Sequence, residues 1–178
     1  MAGTGRPRAL PEQTEHHLQA LLRSCLGRFA TGVAVVTFDE SPNATDPRGI
    51  TVNSFTSVSL RPPLVLVSVA REARSHDQLA GRPFCVNVLG AEQELIARTF
   101  AGGPQVPVAW ERRELAPRLA GALAHLECRP WRAYDGGDHT LYLGEVVEFE
   151  YRAGDALGYL GGGFIAIGEP ELGLEHLI

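Results

Sequence analysis

The chain has 178 residues, of which 44% are hydrophobic and 21% are charged, as is typical of one soluble domain with a hydrophobic core. Its net charge of −5 excludes a general electrostatic attraction to nucleic acid. All 16 basic residues are arginines, so any phosphate contact by a basic side chain must use a planar guanidinium group.

The cysteines and the N-terminal segment indicate the cellular compartment. Cys25, Cys85 and Cys128 are far apart and form no Cys-x-x-Cys pair, which predicts reduced thiols in a cytoplasmic protein. The six histidines lack the spacing of metal ligands, so we predict no metal site. Residues 1–14 lack the apolar stretch of a secretion signal, and we expect a flexible N-terminal arm there. Residues 15–178 are then expected to form the single domain.

The first half of the chain predicts a helix followed by strands. Apolar residues recur with helical spacing from His16 to Phe29, and the helix is expected to end near Gly27. Residues 33–38 form a short apolar run that is typical of a buried strand, and residues 39–48 are rich in turn formers. Residues 64–69 and 84–89 have the character of further buried strands.

Between these strands lies an unusual polar stretch, residues 49–63, with many hydroxyls, one amide and no carboxylate. Side chains alternate between the two faces of a strand, so one face of an extended strand would carry the neutral polar residues around one aromatic ring, namely Thr51, Asn53, Phe55, Ser57 and Ser59. Such a surface suits a flat ligand with a polar edge. A serine- and threonine-rich edge strand that contains a turn is the alternative.

The second half of the chain predicts two short helices and several hairpins. Residues 70–81 form a loop that leads into a short helix, and residues 91–100 form another helix. Strands are expected at residues 122–129 and 139–151; residues 131–134 follow the first strand, and a tight Asp-Gly-Gly-Asp turn precedes the second. Because strands and helices do not alternate regularly, the pattern favours an antiparallel barrel or sandwich over a doubly wound sheet.

Three apparent motifs are excluded by their spacing. The glycines at residues 161–163 lack the G-x-G-x-x-G pattern, and those at Gly27 and Gly32 lack the lysine of a P-loop. Ser75, His76 and Asp77 have the residue types of a catalytic triad, but adjacent residues cannot reach triad geometry.

Several segments, in the order in which they occur, resemble the short-chain flavin reductase family, the reductase components of two-component flavin monooxygenases. The matching segments extend over about residues 22–165 and comprise residues 27–33, 49–63, 84–89, 100–102, Cys128 and 136–146. The resemblance implies an FMN-binding split β-barrel, a mainly β Greek-key barrel with a few short peripheral helices, which is usually a homodimer. It also implies that NADH or NADPH reduces FMN or FAD, which then supplies a separate monooxygenase.

The resemblance also implies a set of cofactor-binding residues. The polar stretch would contact the flavin ring and ribityl chain, through Thr51, Val52, Asn53, Ser54, Phe55, Ser57 and Val58. Arg74 and Ser75, with Arg71 as a weaker candidate, would bind phosphate just before a helix start. Trp110 lies where the family often has an aromatic residue near the flavin. Each of these assignments has an alternative. Phe55 would pack in the core, the arginines would belong to a solvated loop, and Trp110 would be an ordinary core or surface residue.

His139 is the candidate catalytic residue, because it follows a Gly-Gly-Asp turn and in the family the corresponding histidine faces the nicotinamide. We expect it to position the nicotinamide and not to transfer a proton. The alternative is a turn histidine bonded to Asp138 or to the backbone.

Near the C-terminus the family tends to carry a three-residue motif of glycine, a basic residue and an aromatic residue. This chain has Gly162-Gly163-Phe164 there and lacks the basic residue. Phe164 can still stack on a ring, whereas the choice between NADH and NADPH stays open. Two other functions also stay open, a protein that holds FMN tightly and oxidises a small substrate itself, and a non-catalytic flavin-binding module.

Overall fold

The computed structural model describes residues 12–40 and 47–168 of the chain. Within these ranges the α-helices are α1 (Glu12–Leu26), α2 (His76–Leu79) and α3 (Glu94–Phe100), and a 3₁₀ turn (Ala91–Gln93) precedes α3. The strands are β1 (Thr31–Gly32), β2 (Ala34–Asp39), β3 (Pro47–Val52), β4 (Thr56–Leu60), β5 (Pro63–Ala70), β6 (Phe84–Val88), β7 (Trp110–Glu111), β8 (Arg118–Leu119), β9 (Ala124–Gly136), β10 (His139–Tyr151), β11 (Ala156–Leu160) and β12 (Gly163–Ile167). The expected mainly β fold with a few helices is confirmed.

The main sheet contains seven antiparallel strands in the order β3-β2-β6-β9-β10-β5-β4. In a flat sheet the two edge strands would lie about 29 Å apart, at about 4.8 Å for each neighbour. Only residues 53–55 connect the edge strands β3 and β4, and so short a connection spans at most about 14 Å. The sheet is therefore rolled, so that its two edges approach one another.

Residues 33–36, at the start of β2, form an unbroken apolar run because both faces of the strand are buried; the buried, hydrogen-bonded Thr37 and the terminal Asp39 are the polar residues further along β2. Ala34, Val36 and Phe38 point into the core inside the rolled sheet, together with residues such as Val67 and Phe84. The other face of β2 packs in a second apolar cluster, which lies beneath α3, the three-stranded sheet β1-β11-β12 and the neighbouring loops. This second cluster consists of Val33, Val35, Leu89, Ala97, Leu119 and Leu157. An unbroken apolar run, not an alternating one, is what burial on both faces requires.

The segment between α3 and β9 is attached to the barrel by buried polar groups. The side-chain carbonyl of Asn87 accepts a hydrogen bond from the backbone N–H of Leu119 at 2.8 Å. The buried Arg118 guanidinium lies 2.6 Å from Glu127, 3.1 Å from Glu148 and 2.8 Å from Glu150. These contacts offset the cost of burying polar groups, although Arg118 Nη1 has its ion pair with Glu150 and no hydrogen bond.

At the N-terminus, α1 begins at Glu12 and therefore includes the end of the segment that was expected to be a flexible arm. Residues 1–11 of that segment lie outside the described residues. Every described side chain from residue 14 to residue 26 is exposed, including the apolar ones. None of the described helices is long and apolar enough to span a membrane. Part of the expected turn-rich loop, residues 41–46, and the C-terminal residues 169–178 also lie outside the described residues.

Candidate functional site

The polar stretch is divided by a bend at residues 53–55, which we call the seam. Here the chain leaves one edge of the main sheet and enters the other. The Ser54 hydroxyl donates to the Ser68 carbonyl at 2.9 Å and accepts from the Ser68 N–H at 3.0 Å. Ser68 lies on β5, and Ser54 continues the β4–β5 register beyond the pair Thr56↔Leu66, so a side chain here replaces backbone pairing at the end of that ladder.

The prediction of one continuous strand with a single polar face was therefore wrong, and the alternative with a turn is closer to the structure. Asn and Ser side chains compete with strand pairing by bonding to nearby backbone, which favours a bend. Val52 is buried in the main core and Phe55 packs against that core. Ser57 and Val58 lie exposed on β4 beside a register shift.

Two residues of the polar stretch, Thr51 and Asn53, line a cleft of about 450 Å³, the first cleft. The Thr51 hydroxyl donates to the carbonyl of Ala97 at 2.7 Å, which fixes the end of β3 against α3. Val52, Ser54, Phe55, Ser57 and Val58 do not line this cleft. Tyr159 and Phe164 form its aromatic wall, with ring centroids 5.5 Å apart in an edge-to-face arrangement.

The aromatic wall is presented by the β11–β12 hairpin. Its two turn residues, Gly161 and Gly162, have φ values of 60° and 89°, as a two-residue type I′ turn requires. The N–H of Gly161 also donates to the Gly27 carbonyl at 2.8 Å. The turn therefore explains two of the three consecutive glycines and holds Phe164 at the cleft.

A second cleft of about 520 Å³ adjoins the first and shares Asn53, Tyr159 and Gly162 with it. Arg23 and Arg28, from the end of α1 and the loop that follows, contribute positive charge to its lining. The two clefts together form a polar and aromatic groove that could accept an elongated anionic ligand.

A third cleft, of about 530 Å³, is lined by Arg74 and shares Ala101 with the first cleft. Arg74 is exposed, and Ser75 precedes α2 without a capping hydrogen bond from its side chain. Arg71 is engaged elsewhere, because its Nε donates to the Gly137 carbonyl at 3.0 Å and its Nη2 lies 3.3 Å from Asp135. Arg74 thus faces open space, whereas Arg71 supports the turn between β9 and β10.

His139 lies at the end of that turn, and its side chain is 40% exposed. Its Nδ1 is 2.6 Å from Oδ1 of Asp138, which is the contact expected for a turn histidine. The hydrogen bond and the charge of His139 hold the pKa of the Asp138 carboxyl below its usual range. His139 pairs with Ala70 across β10 and β5, and Ala70 lines the third cleft, so His139 lies beside that cleft and not in the first.

Trp110 does not line the clefts described above. Its ring packs edge to face on Phe100 with centroids 5.8 Å apart, against the second apolar cluster. This position favours the core alternative for Trp110. No group of three or more potential metal-ligating side chains occurs within residues 12–40 and 47–168.

The first cleft also contains Arg98 and Tyr159, which the sequence analysis did not identify. The Arg98 guanidinium carbon lies 5.0 Å from the Phe164 ring centroid. In the sequence, Arg98 and Glu94 have the i, i+4 spacing of an ordinary surface pair, so that nothing distinguished the arginine. The only available signal was the aromatic residue at position 159, close to the glycine run.

Comparisons with known proteins identify the family of the chain. A model of the flavin reductase like domain matches residues 26–168. The chain is 51% identical to an NADH-dependent FAD reductase of Streptomyces globisporus over 136 residues, 71% of this chain and 72% of that protein. It is 37% identical to the reductase component of a 4-nitrophenol 4-monooxygenase/4-nitrocatechol 2-monooxygenase of Rhodococcus opacus, over 82% of this chain and 80% of that one.

Among solved structures, an NADH:FAD oxidoreductase of Streptomyces globisporus superposes with a TM-score of 0.78 at 42% identity, covering 95% of this chain and 98% of that one. Sequence and structure therefore agree over nearly all of the described residues, and the chain belongs to the flavin reductase-like domain family.

Proposed function

We propose that this protein is an NADH:flavin oxidoreductase that reduces FMN or FAD and supplies the reduced flavin to a separate monooxygenase. The observation that carries the proposal is the composition of the first cleft. Neutral polar side chains, two aromatic rings and one guanidinium line it, and no carboxylate does. Such a lining suits flat, anionic ligands such as a flavin nucleotide and a nicotinamide dinucleotide.

The lining residues fit both ligands in complementary ways. Thr51 and Asn53 offer hydrogen-bonding groups to a flavin edge, and Arg74, with Ser75 next to it in the chain, offers charge and a hydroxyl to its phosphate. When NADH and the flavin are both bound, the nicotinamide supplies a hydride to the flavin ring. The chain's own contribution is to hold the two rings in contact and to exclude water, with Phe164 and Tyr159 as stacking surfaces.

The remaining candidates have supporting places in this proposal. Ser54 and Phe55 shape the seam, Ser57 and Val58 border it on β4, and Arg71 supports the turn that carries His139. Trp110 supports α3 through Phe100. His139 positions the nicotinamide from the side of the third cleft.

The direct test is steady-state oxidation of NADH and NADPH at 340 nm with FMN, FAD or no flavin. We expect turnover with NADH to depend on added flavin. The proposal fails if neither nucleotide shows flavin-stimulated oxidation. A yellow colour that survives gel filtration, together with turnover that needs no added flavin, would instead indicate a tightly held cofactor.

A homodimer is supported by the uncovered apolar side of α1. Leu18, Leu21, Leu22 and Leu26 lie 46–63% exposed at helical spacing, and Phe149 on β10 is 69% exposed. Side chains of this size are normally covered when they form a continuous patch. Light scattering is expected to give twice the 19.2 kDa mass of one chain. Leu22→Glu should shift the mass to that of the monomer, whereas Gln19→Glu on the same helix should not.

The supply of a monooxygenase and a cytoplasmic location complete the proposal. Cys85 and Cys128 are buried as free thiols, as expected in a reducing compartment that also provides NADH. A cleft that opens to the surface supports reduced flavin as a released product. Hydroxylation by a separate flavin-dependent monooxygenase, with the two proteins held apart by a dialysis membrane, tests transfer by diffusion.

A further inference from the structure

We propose that Arg98 supplies the cation that is missing from the segment Gly162-Gly163-Phe164. The guanidinium of Arg98 then binds a phosphate of NADH. This inference rests on the proposed function and identifies the residue that recognises the dinucleotide. The cation reaches the first cleft from α3, on the side opposite to the hairpin that carries Phe164.

Arg98 is the only charged residue among those that line the first cleft. Glu94 lies 2.8 Å from its Nε and 2.7 Å from its Nη2, and both contacts use the same carboxylate oxygen. The Phe164 ring lies against the guanidinium. Two neighbours thus fix the orientation of the group, and the Nη1 amino group keeps its hydrogens for a ligand.

The backbone of the hairpin permits a side chain at position 163. Gly161 and Gly162 have positive φ values, so other residues there would be strained. Gly163 does not have a positive φ value. The nearest atom to a Cβ built at Gly163 is the Leu160 carbonyl oxygen, at 3.9 Å. A side chain therefore fits at position 163, and the glycine there is not required by the backbone. Gly163 and Arg98 both line the first cleft, so a long, flexible lysine at position 163 tests whether a cation there replaces Arg98.

The phosphate bound by Arg98 could belong to NADH or to the flavin, since both ligands carry one. The third cleft already presents Arg74 and Ser75 to a flavin phosphate. Arg98 lies instead against Phe164 in the first cleft and does not line the cleft that Arg74 lines. The geometry thus favours the donor, and the experiment separates the two sources with an acceptor that has no phosphate.

The test compares Arg98→Met, which keeps the apolar stem over Phe164, with Arg98→Lys. Arg48→Met is the matched control, because Arg48 is also paired with a glutamate and half exposed, but does not line the described clefts. With riboflavin as acceptor, Arg98→Met should raise the KM for NADH about tenfold, as for the loss of one charged hydrogen bond, with kcat changed less than about twofold. Arg98→Lys and the control should stay within about threefold of the wild type.

Binding without turnover gives a second readout. Calorimetric titration with ADP-ribose, which has the pyrophosphate but no nicotinamide, should show the same weakening in Arg98→Met. Adding Gly163→Lys to Arg98→Met should restore most of the lost affinity, and circular dichroism checks that each variant is folded. Rescue at position 163 would not be expected if Arg98 acted only by stabilising α3.

The inference is overturned if Arg98→Met leaves both the KM for NADH and the affinity for ADP-ribose unchanged. It is also overturned if the effect appears only with FMN, because the contact is then with the flavin phosphate. If the wild type itself shows no flavin-stimulated oxidation of NADH, the proposed function fails instead. The two failures are therefore distinguishable.

Discussion

At the scale of single residues, His139 is restrained before any ligand binds. Asp138 contacts its Nδ1, and Arg71 ties the same turn to the end of β5 through Gly137 and Asp135. The second ring nitrogen has no protein partner in the described part of the chain. Such restraint suits a residue that positions another group, because less freedom is lost when a ligand binds.

We therefore predict that His139→Ala raises the KM for NADH and lowers kcat, together by about tenfold in kcat/KM. Asp138→Asn should reproduce part of this loss, because it loosens the ring without removing it. His17→Ala on α1 is the control, since that histidine is exposed and outside the clefts. Steady-state kinetics with all three variants make the test, and unchanged KM and kcat in His139→Ala would remove this residue from the site.

The cysteines give a second prediction, based on pH. Burial raises the pKa of the Cys85 thiol to about 12 and that of Cys128 well above its usual range, so both remain protonated at pH 8. Thiolates are the reactive form, and in the native protein these two should not react with Ellman's reagent. In monomeric Leu22→Glu we expect one reactive thiol per chain, the exposed Cys25, and three after unfolding. Rapid reaction of all three thiols in the native state would contradict the buried positions.

At the scale of elements, β10 depends on a glycine where it crosses the core. A Cβ at Gly144 would lie 2.5 Å from the Phe84 ring and 2.7 Å from Cβ of Cys128. The register with β9 also shifts at this residue. The glycine at position 144, within the matching segment 136–146, thus has a steric cause in this chain.

Gly144→Ala should consequently destabilise the protein by about 1–3 kcal/mol, as overpacking of a core does. Gly32→Ala in β1 is the control, because a Cβ there meets no atom within 4 Å and no positive φ is involved. Urea unfolding of both variants measures the difference. Equal stability of the two variants would show that the core around Phe84 adjusts freely.

The acidic residues around Arg118 make the attachment of β8 to β9 and β10 sensitive to pH. Desolvation opposes ionisation of Glu150, but the charges of Arg118 and His125 outweigh it and lower the pKa of this carboxyl. A lowered pKa in the folded state contributes stability above the ordinary value of 4.5, and this contribution is lost as the pH falls through the folded value.

Glu150→Gln should accordingly be less stable than the wild type at pH 7, with a difference that shrinks below pH 4.5. Glu114→Gln is the control, because Glu114 is exposed on a loop and has no ion pair within the described residues. Urea unfolding between pH 3 and pH 7 follows both variants. A difference that is constant with pH would show that the carboxylate charge does not matter.

At the scale of the whole molecule, the sequence was sufficient for most strands and the hairpin turns, because these follow from local pattern. The apolar run of β2 and the Asp-Gly-Gly-Asp turn before His139 are read directly from residue types. A turn in the polar stretch was one of its two interpretations, but the place of the bend was not predicted, since it depends on where the rolled sheet brings β5. Arg98 was missed for the same reason, because its partner Phe164 is distant in the sequence.

The seam has a consequence for the motions of the empty protein. Asn53 borders two clefts, while its neighbour Ser54 is hydrogen-bonded to the Ser68 backbone of β5. A ligand that orders this bend also suppresses transient opening of the barrel along that line. The amide proton of Ser68 should therefore exchange with deuterated solvent more slowly when the enzyme is saturated. Occupancy of the site and rigidity of the barrel are then two measures of a single equilibrium.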